Sequence, residues 1–249
     1  MALEEGILRC LVELGSWDDA MPIADKLITW YQARGGHYFD VAIQSMKADI
    51  LVHRGRVAEA LPLTERFLPR AREIGDLQVV VQALPVAALV AQADGQLDAA
   101  IRLVEEFERV TREGPGPYRA EPLPRLLRVC GDAGELSLAE RLLEVEAHTI
   151  RHQHCLVAAR AILAEAHGDL EQASSWYAEA VERWSGYGAL LEHGQALLGL
   201  GRCQVGMGRP AARDRLMQAS AIFGRLAARP LLAAADGWLR RAHQKRRPT

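Results

Sequence analysis

Residues 168–180, GDLEQASSWYAEA, predict a tight turn followed by a helix. A glycine such as Gly168 commonly ends a helix, because it adopts a left-handed backbone without strain. Leu170 then begins an apolar stripe that continues through Ala173 and Tyr177 at helical spacing. Ala173 falls where two neighbouring helices would cross closely, so the segment predicts the second half of a helical hairpin.

The same phrase recurs along the chain as GSWDDA, GRVAEA, GQLDAA and GELSLA. Each copy has an alanine five residues after its glycine, at positions Ala20, Ala60, Ala100, Ala139 and Ala173. A sixth, looser copy surrounds Gly208, where the sequence leaves the choice between Ala211 and Ala212 open. Repetition at intervals of roughly 34 to 40 residues predicts a helical-repeat array.

The composition favours an all-α fold. Of the 249 residues, 49% are hydrophobic but only 6% are aromatic, so alanine and leucine must form most of the core. Small residues at helix crossings suit helix packing better than a β-sandwich. The formal net charge of −2 argues against a general nucleic-acid binder, which usually has a marked excess of basic residues.

Four scattered cysteines without a CxxC pair, Cys10, Cys130, Cys155 and Cys203, favour free buried thiols in a reducing compartment. No apolar run approaches the ~18 residues of a membrane span, and the acidic N-terminal segment does not resemble a secretory signal. We therefore expect no membrane association and a cytoplasmic location.

The glycine turns divide the chain into one domain of about six helix pairs and a capping helix. The predicted units are roughly 1–36, 37–75, 76–113, 118–149, 153–187 and 188–228, with the capping helix at 230–243. Prolines at 115, 117, 122 and 124 predict an extended connector over 114–124. A repeat array needs a solubilising end, and the first helix begins almost at Met1, so we expect this chain to be part of a longer protein; a native start is the alternative.

The two-helix phrase resembles the tetratricopeptide (TPR) repeat. Unit five carries the resemblance most fully, with Ala161, Gly168, Ala173, Tyr177 and Ala180, and Leu200-Gly201 adds to it in unit six. The longer period resembles the helical-repeat arrays that follow the ATPase modules of bacterial LuxR-family regulators and of adenylate/guanylate cyclase proteins. The resemblance implies a TPR-like α-solenoid, and it implies an attached ATPase or cyclase module as a possible partner.

In such a solenoid the first helix of each pair lines the concave groove. Aligning the units on their glycine turns predicts these partner-binding positions in the groove: Asp49, His53, Leu89, Gln92, Arg125, Arg128, Ile162, Glu165 and Arg202. Their mixed charge and partly apolar character suit a peptide or a partner helix. The leading hypothesis is therefore a non-catalytic interaction scaffold, and the resemblance implies that it acts in a bacterial signalling or transcription-regulatory protein. The alternative is a sensor that binds a small-molecule inducer inside the superhelix.

The sequence contains no GxxxxGK[ST], GxSxG or HExxH motif, so we predict neither a cofactor nor catalysis. The segment HTIRHQHC could offer His148, His152, His154 and Cys155 to zinc or copper. It crosses a predicted unit boundary that would scatter these side chains, so solvated or capping histidines are the favoured interpretation. An enzyme assembled around these histidines is a third hypothesis.

Three further clusters have both a functional and a structural interpretation. Tyr118 with Arg119, Arg125 and Arg128 could bind a phosphate or an acidic peptide, but ion pairs with Glu121 and neighbouring acids are favoured. The basic C-terminal residues could contact nucleic acid, but a soluble helix end is favoured; they are Arg240, Arg241, Lys245, Arg246 and Arg247. The aromatic residues are predicted to pack between units rather than to form a ligand cage; they are Trp17, Trp30, Tyr31, Trp176, Tyr177 and Trp184.

Overall fold

A computed structural model describes residues 2–35, 38–112 and 117–244, and these ranges contain fourteen helices and no β-strand. The all-α prediction is confirmed. In chain order the helices are α1 (Ala2–Leu14), α2 (Trp17–Gln32), α3 (Tyr38–His53), α4 (Val57–Ile74), α5 (Leu77–Ala93), α6 (Leu97–Arg112), α7 (Pro117–Ala120), α8 (Leu123–Ala133), α9 (Leu136–Leu142), α10 (Ile150–Ala166), α11 (Leu170–Tyr187), α12 (Leu190–Gly206), α13 (Ala212–Leu226) and α14 (Arg229–Gln244).

All six glycines of the repeated phrase lie in left-handed turns between the two helices of a unit. Gly15 has φ of 77° and Gly168 has φ of 80°, with Gly55, Gly95, Gly134 and Gly208 in the same region. Because only glycine adopts this conformation routinely, the turn between paired helices is fixed locally by one residue type.

The alanine that follows each glycine is buried at a helix crossing. Ala20, Ala60, Ala100 and Ala173 are fully inaccessible, and Ala139 is 2% exposed. A methyl side chain at these points lets paired helices approach closely. In the sixth unit the buried residue is Ala212, whereas Ala211 is exposed. The structure thus resolves the choice that the sequence leaves open.

Unit four departs most from the predicted helices. The part of the 114–124 connector that is described contains a single helical turn, α7, so it is not extended throughout; Pro115 lies outside the described residues. Helix α9 ends at Leu142, well before the predicted end of unit four at residue 149, and α10 begins at Ile150, ahead of the predicted start of unit five at residue 153. Thr149 caps α10, since its side chain accepts a hydrogen bond from the His152 amide at 3.1 Å.

Helix α5, with the sequence LQVVVQALPVAALVAQA, is the central apolar helix of the first half. It is mostly buried between α3, α4, α6 and α8, with Leu84 and Ala88 fully inaccessible. Pro85 sits within this continuous helix, which keeps its length although proline removes one backbone hydrogen bond.

The two ends of the array contact each other. One apolar cluster joins Leu8 of α1 and Trp17 of α2 to Leu198 of α12 and Phe223 of α13. A Cβ atom built on Gly15 would lie 2.6 Å from Leu226 Cδ2 and 2.9 Å from Leu190 Cδ2. In an elongated repeat array each unit contacts only its neighbours, and this chain departs from that arrangement. The superhelix turns far enough for unit one to pack on unit six.

The C-terminal helix α14 covers unit six as the sequence predicts. Ala235 is fully buried, and Leu231, Leu232 and Trp238 pack on the same apolar cluster. The helix also contacts α3, which extends the contact between the two ends of the chain. Within the ranges that the structure covers, no helix has the length and apolar character required to cross a membrane.

Candidate functional site

The first helix of every unit contributes to one central cavity of about 440 Å³. The cavity is bounded by Glu13 of α1, Asp49 of α3, Pro85 of α5, Arg125 of α8, His152 of α10 and Glu192 of α12. The second helices α2, α4, α6, α9, α11 and α13 do not contribute to it. Because the ends of the array meet, the first helices of distant units line one common cavity that remains partly open to solvent.

The walls of this cavity combine apolar surface with paired charges. Val12, Met46, Val86 and Leu191 provide apolar contacts. Arg125 donates a hydrogen bond to Asp49 at 2.7 Å, joining α8 to α3. This mixture of apolar walls and a few fixed polar groups is typical of ligand sites, and the volume falls within their usual range of about 300–1,000 Å³.

A second ion pair crosses between first helices that are far apart in sequence. Arg128 Nη2 lies 3.1 Å from Glu192 Oε2, joining α8 to α12. Burial alone would raise the pKa of the Glu192 carboxyl, but Arg128, Arg125 and Arg151 together outweigh burial and the pKa is lowered. Burial likewise opposes ionisation of Asp49, but Arg125 and His53 lower the pKa of that carboxyl. Both carboxylates are therefore ionised at neutral pH.

Of the nine predicted groove positions, Asp49 and Arg125 line the cavity, and Arg128 pairs with a residue that lines it. His53 lies one helical turn beyond Asp49, with its ring stacked on Trp17 at a centroid distance of 6.0 Å. It is 8% exposed and does not line the cavity, so it contacts Asp49 from the side that faces away from the cavity.

The remaining predicted positions lie away from the cavity. Arg202 makes two hydrogen bonds to Glu165, at 2.8 and 2.7 Å, and Tyr177 donates a third at 2.7 Å. Gln92 donates to Asp132 at 2.7 Å, on the same inner side of the array. Leu89 and Ile162 pack within apolar clusters. The Arg202–Glu165 pair joins α12 to α10, and the Gln92–Asp132 pair joins α5 to α8.

The alignment on glycine turns missed Glu13, Arg151, His152 and Glu192 as cavity residues. Arg151, His152 and Glu192 lie at the N-terminal end of a first helix, whereas Glu13 lies near the C-terminal end of α1. The alignment selected positions close to the turn in each unit, whereas the cavity is lined by the opposite ends of α10 and α12. The charges of these residues were the available signal, but their meeting depends on the curvature of the whole array.

The segment HTIRHQHC begins in the non-helical stretch between α9 and α10, where His148 lies, and continues into α10. His152, His154 and Cys155 are all in α10, but His154 packs edge-on against Trp184 and Tyr187 while His152 lines the cavity. Burial lowers the pKa of both imidazoles, so both are neutral at neutral pH. In the ranges 2–35, 38–112 and 117–244, no three His, Cys, Asp or Glu residues are grouped as metal ligands.

The arginines near Tyr118 do not form a common patch. Arg119 is 7% exposed and donates a hydrogen bond to the Arg141 carbonyl at 2.5 Å, whereas Arg125 and Arg128 point to different carboxylates. Glu121 pairs with Arg151 instead of these three. Of the basic C-terminal cluster, Lys245, Arg246 and Arg247 lie outside the described residues, and Arg241 stacks over Trp238 at 4.5 Å.

The aromatic residues pack between helices, as predicted. Trp184 is fully buried, and Trp17, Tyr31 and Tyr177 are at most 6% exposed. Trp30 and Trp176 are partly buried against apolar clusters. Cys10 is exposed, so the prediction of four buried thiols is wrong for this residue; Cys130, Cys155 and Cys203 are buried.

The similarity to solved structures indicates the fold. A Rap protein complexed with competence and sporulation factor is similar over 98% of this chain and 74% of that one, with a TM-score of 0.63 and 14% identity. The fold is a TPR-like α-solenoid. The apo form of RapI is similar over 98% of this chain and 71% of that one, with a TM-score of 0.55 and 12% identity.

A third similar structure is BtubC (BKLC) from P. vanneervenii, which shares 18% identity over 90% of this chain and 91% of that one, with a TM-score of 0.50. The sequence matches no protein-family model and no curated protein. Because the identities are this low, the structural similarity establishes the TPR-like fold alone. The resemblance to LuxR-family and cyclase-associated arrays stays a prediction.

Proposed function

We propose that this TPR-like solenoid is a non-catalytic cytoplasmic recognition module that binds a short peptide, or a short segment of a partner protein, in its central cavity. One observation carries the proposal: the first helices of all six units line one cavity that has apolar walls and fixed charges. Apolar contacts would supply affinity, and the charged pairs would select polar groups of the bound segment.

The size of the cavity limits what can enter. A volume of about 440 Å³ accommodates a few residues rather than a long extended segment. The complex named for the similar Rap structure, with competence and sporulation factor, is a property of that protein. It supports the proposal as an example of a ligand held by a solenoid of this shape.

Selection from a random-peptide library on the immobilised protein tests the proposal. Selected peptides would then be titrated against Ala42→Phe, which places a ring in the cavity from the partly buried Ala42 of α3. We expect this variant to bind at least about tenfold more weakly, which corresponds to about 1.4 kcal/mol. The matched control is Ala58→Phe, at an exposed position of α4, which should leave binding unchanged.

Two outcomes would contradict peptide recognition in this cavity. One is a selection that enriches no peptide over the bare matrix. The other is equal binding of the selected peptides to the wild type, Ala42→Phe and Ala58→Phe. Reversing the charges of Asp49 and Arg125 together would further separate binding through the wall charges from binding at an outer surface.

A small-molecule inducer is the second candidate, and the volume of about 440 Å³ favours it, because it falls within the range of small-molecule sites. A metabolite screen by thermal shift tests this function, because a ligand at about 100 times its Kd stabilises the folded state by about 2.7 kcal/mol. A stabilising metabolite whose effect disappears in Ala42→Phe would assign the cavity to small molecules instead of peptides.

We further propose that occupancy of the cavity regulates an attached ATPase or cyclase module in a bacterial signalling or transcription regulator. The sequence resemblance to such arrays supports this context. The test is the ATPase or cyclase activity of a parent protein carrying this solenoid, measured with and without a selected peptide. An activity that does not respond to a peptide bound in the cavity would contradict it.

A further inference from the structure

One of the prolines inside the helices differs from the others in its surroundings. Proline has no backbone N–H, so it leaves the carbonyl four residues earlier without its helical donor. Pro22 of α2 and Pro62 and Pro69 of α4 are exposed, as are the residues four positions before them, so water can reach the freed carbonyls. Pro85 of α5 is buried, and it frees the carbonyl of Val81, which is only 7% exposed.

The freed carbonyl of Val81 belongs to the wall of the central cavity. Residues four positions apart lie on the same face of a helix, and the carbonyl of the earlier residue points along the axis towards the later one. Val81 and Pro85 both line the cavity. The carbonyl oxygen therefore lies between two residues that form part of the cavity surface.

No side chain of the described residues donates a hydrogen bond to this carbonyl. Two cavity side chains that could donate are engaged elsewhere: the Ser45 hydroxyl donates to the Val41 carbonyl at 2.8 Å, and Gln82 Nε2 donates to the Gln78 carbonyl at 2.9 Å. A buried backbone carbonyl without a partner is uncommon in native proteins. The Val81 carbonyl is thus an acceptor that a bound molecule can use.

The surroundings of this acceptor select a neutral donor. Ala42 and Met46 of α3 and Val86 of α5 line the cavity on the two helices that pack together here. A charged group placed against apolar side chains loses more hydration free energy than a neutral N–H does. We propose that the Val81 carbonyl, freed by Pro85, accepts a hydrogen bond from a neutral N–H of the ligand, namely a secondary amide such as a peptide bond.

The proposed contact rests on the proposed function, since it uses the same cavity and names the group that is bound there. The probe is N-acetyl-L-leucine N-methylamide, and its counterpart carries a methyl group on both amide nitrogens and so has no N–H. Val81-Gln82 is the only Val–Gln pair in the sequence. Protein labelled with carbonyl-¹³C valine and ¹⁵N glutamine therefore gives one NMR correlation that reports on the Val81 carbonyl alone.

We expect a saturable shift of the Val81 carbonyl signal with the secondary amide, and about fivefold to tenfold weaker binding of the methylated counterpart. Pro85→Ala restores the N–H that closes on the Val81 carbonyl, so this variant should bind the two probes with equal affinity. Pro69→Ala is the matched control, because it makes the same exchange at an exposed position of α4 outside the cavity. It should keep the wild-type preference. Alanine is a strong helix former, so both variants should fold.

Three results would each overturn the inference: no saturable shift of the Val81 carbonyl, equal affinity of the wild type for the two probes, or an undiminished preference in Pro85→Ala. The inference and peptide recognition can fail separately. Library peptides that bind in the cavity and tolerate methylation of every backbone nitrogen would leave peptide recognition standing and remove the contact with Val81. A specific response of Val81 to the secondary amide without any selected peptide would do the reverse.

Discussion

Arg151 Nη1 lies 2.6 Å from Glu13 Oε2, although the two residues are 138 positions apart in the chain. Burial would lower the pKa of the Arg151 guanidinium, but Glu121 and Glu13 outweigh burial and raise it, so the arginine stays charged. This ion pair connects the first unit to the fifth across the cavity. It shows at the level of two side chains that the solenoid turns back on itself.

Packing between the ends of the chain should make Gly15 unusually intolerant of a side chain. An alanine there needs a φ of 77° and places its Cβ 2.6 Å from Leu226 Cδ2. Gly95→Ala is the matched control, because Gly95 has φ of 79° but no neighbouring atom within 4 Å of the added Cβ. The left-handed conformation costs about 1–2 kcal/mol in both variants, and we expect Gly15→Ala to lose about 1–3 kcal/mol more through overpacking.

Urea denaturation at neutral pH measures this difference in the free energy of unfolding. Equal losses in Gly15→Ala and Gly95→Ala would contradict the close packing of units one and six. The same two variants can be compared by small-angle X-ray scattering. Separation of unit one from unit six should increase the radius of gyration of Gly15→Ala alone.

The aromatic ring of Tyr177 packs directly on Gly199 of α12, so we expect this position to require glycine. A Cβ at this position would lie 2.3 Å from Cζ of Tyr177, which is 2% exposed and has no room to move. Gly199→Ala should therefore destabilise the protein by about 1–3 kcal/mol, although alanine is favoured over glycine in a helix by about 1 kcal/mol. Gly6→Ala, in α1 with no atom within 4 Å, should instead be neutral or stabilising. Thermal unfolding of both variants is the measurement, and a stabilised Gly199→Ala would refute the contact.

Asp49 should contribute to stability only while it is ionised. Burial raises and Arg125 and His53 lower its pKa, with a net lowering in the folded state. Its contribution is thus complete above the unfolded pKa of about 3.9 and is lost as the pH falls through the lower folded value. Asp49→Asn should reduce the free energy of unfolding by about 1–3 kcal/mol at pH 7, and its deficit relative to the wild type should shrink with acidification below about pH 4.

Asp40→Asn provides a control of opposite sign. Burial raises the pKa of the Asp40 carboxyl in the folded state, so ionisation of this residue reduces stability as the pH rises. The effect of Asp40→Asn should therefore become more favourable towards neutral pH. Urea titrations of the three proteins from acid to neutral pH would show the two trends, and parallel curves for both variants would contradict the assigned environments.

The four cysteines should separate into one accessible and three protected thiols. Cys10 is exposed, whereas burial raises the pKa of Cys130 and of Cys203 to about 12 and also raises the pKa of Cys155. Because the thiolate is the reactive form, a disulfide reagent should label one thiol in the native protein and four in urea. Cys10→Ser should abolish the native reaction. Rapid native labelling of a second thiol would show that the core opens.

Much of the local fold could be predicted from glycine and alanine alone. Gly55 and Gly168 identify turns because their backbone is left-handed, and Ala60 and Ala173 identify crossings because only a methyl group fits. The glycine pattern does not predict the end of α9 in unit four, because the helix stops at Leu142 without a glycine or proline after it. Helix length there depends on packing rather than on a local signal.

The candidate site was predictable only in part. Asp49 and Arg125 were found because helical periodicity assigns them to the inner face of their units, whereas Glu13 and His152 were not. Their proximity depends on the relative rotations of all the units that lie between them.

The sequence by itself determined the paired helices, their turns and the alternation of inner and outer helices, because each depends on residues a few positions apart. The tertiary structure decided that the ends meet, that the groove becomes a cavity and that Arg151 lies between Glu13 and Glu121. The physical reason is that curvature accumulates from a small rotation at every interface between units. No single motif encodes the total rotation, so only the packed chain shows which charged residues, distant in sequence, line the same cavity.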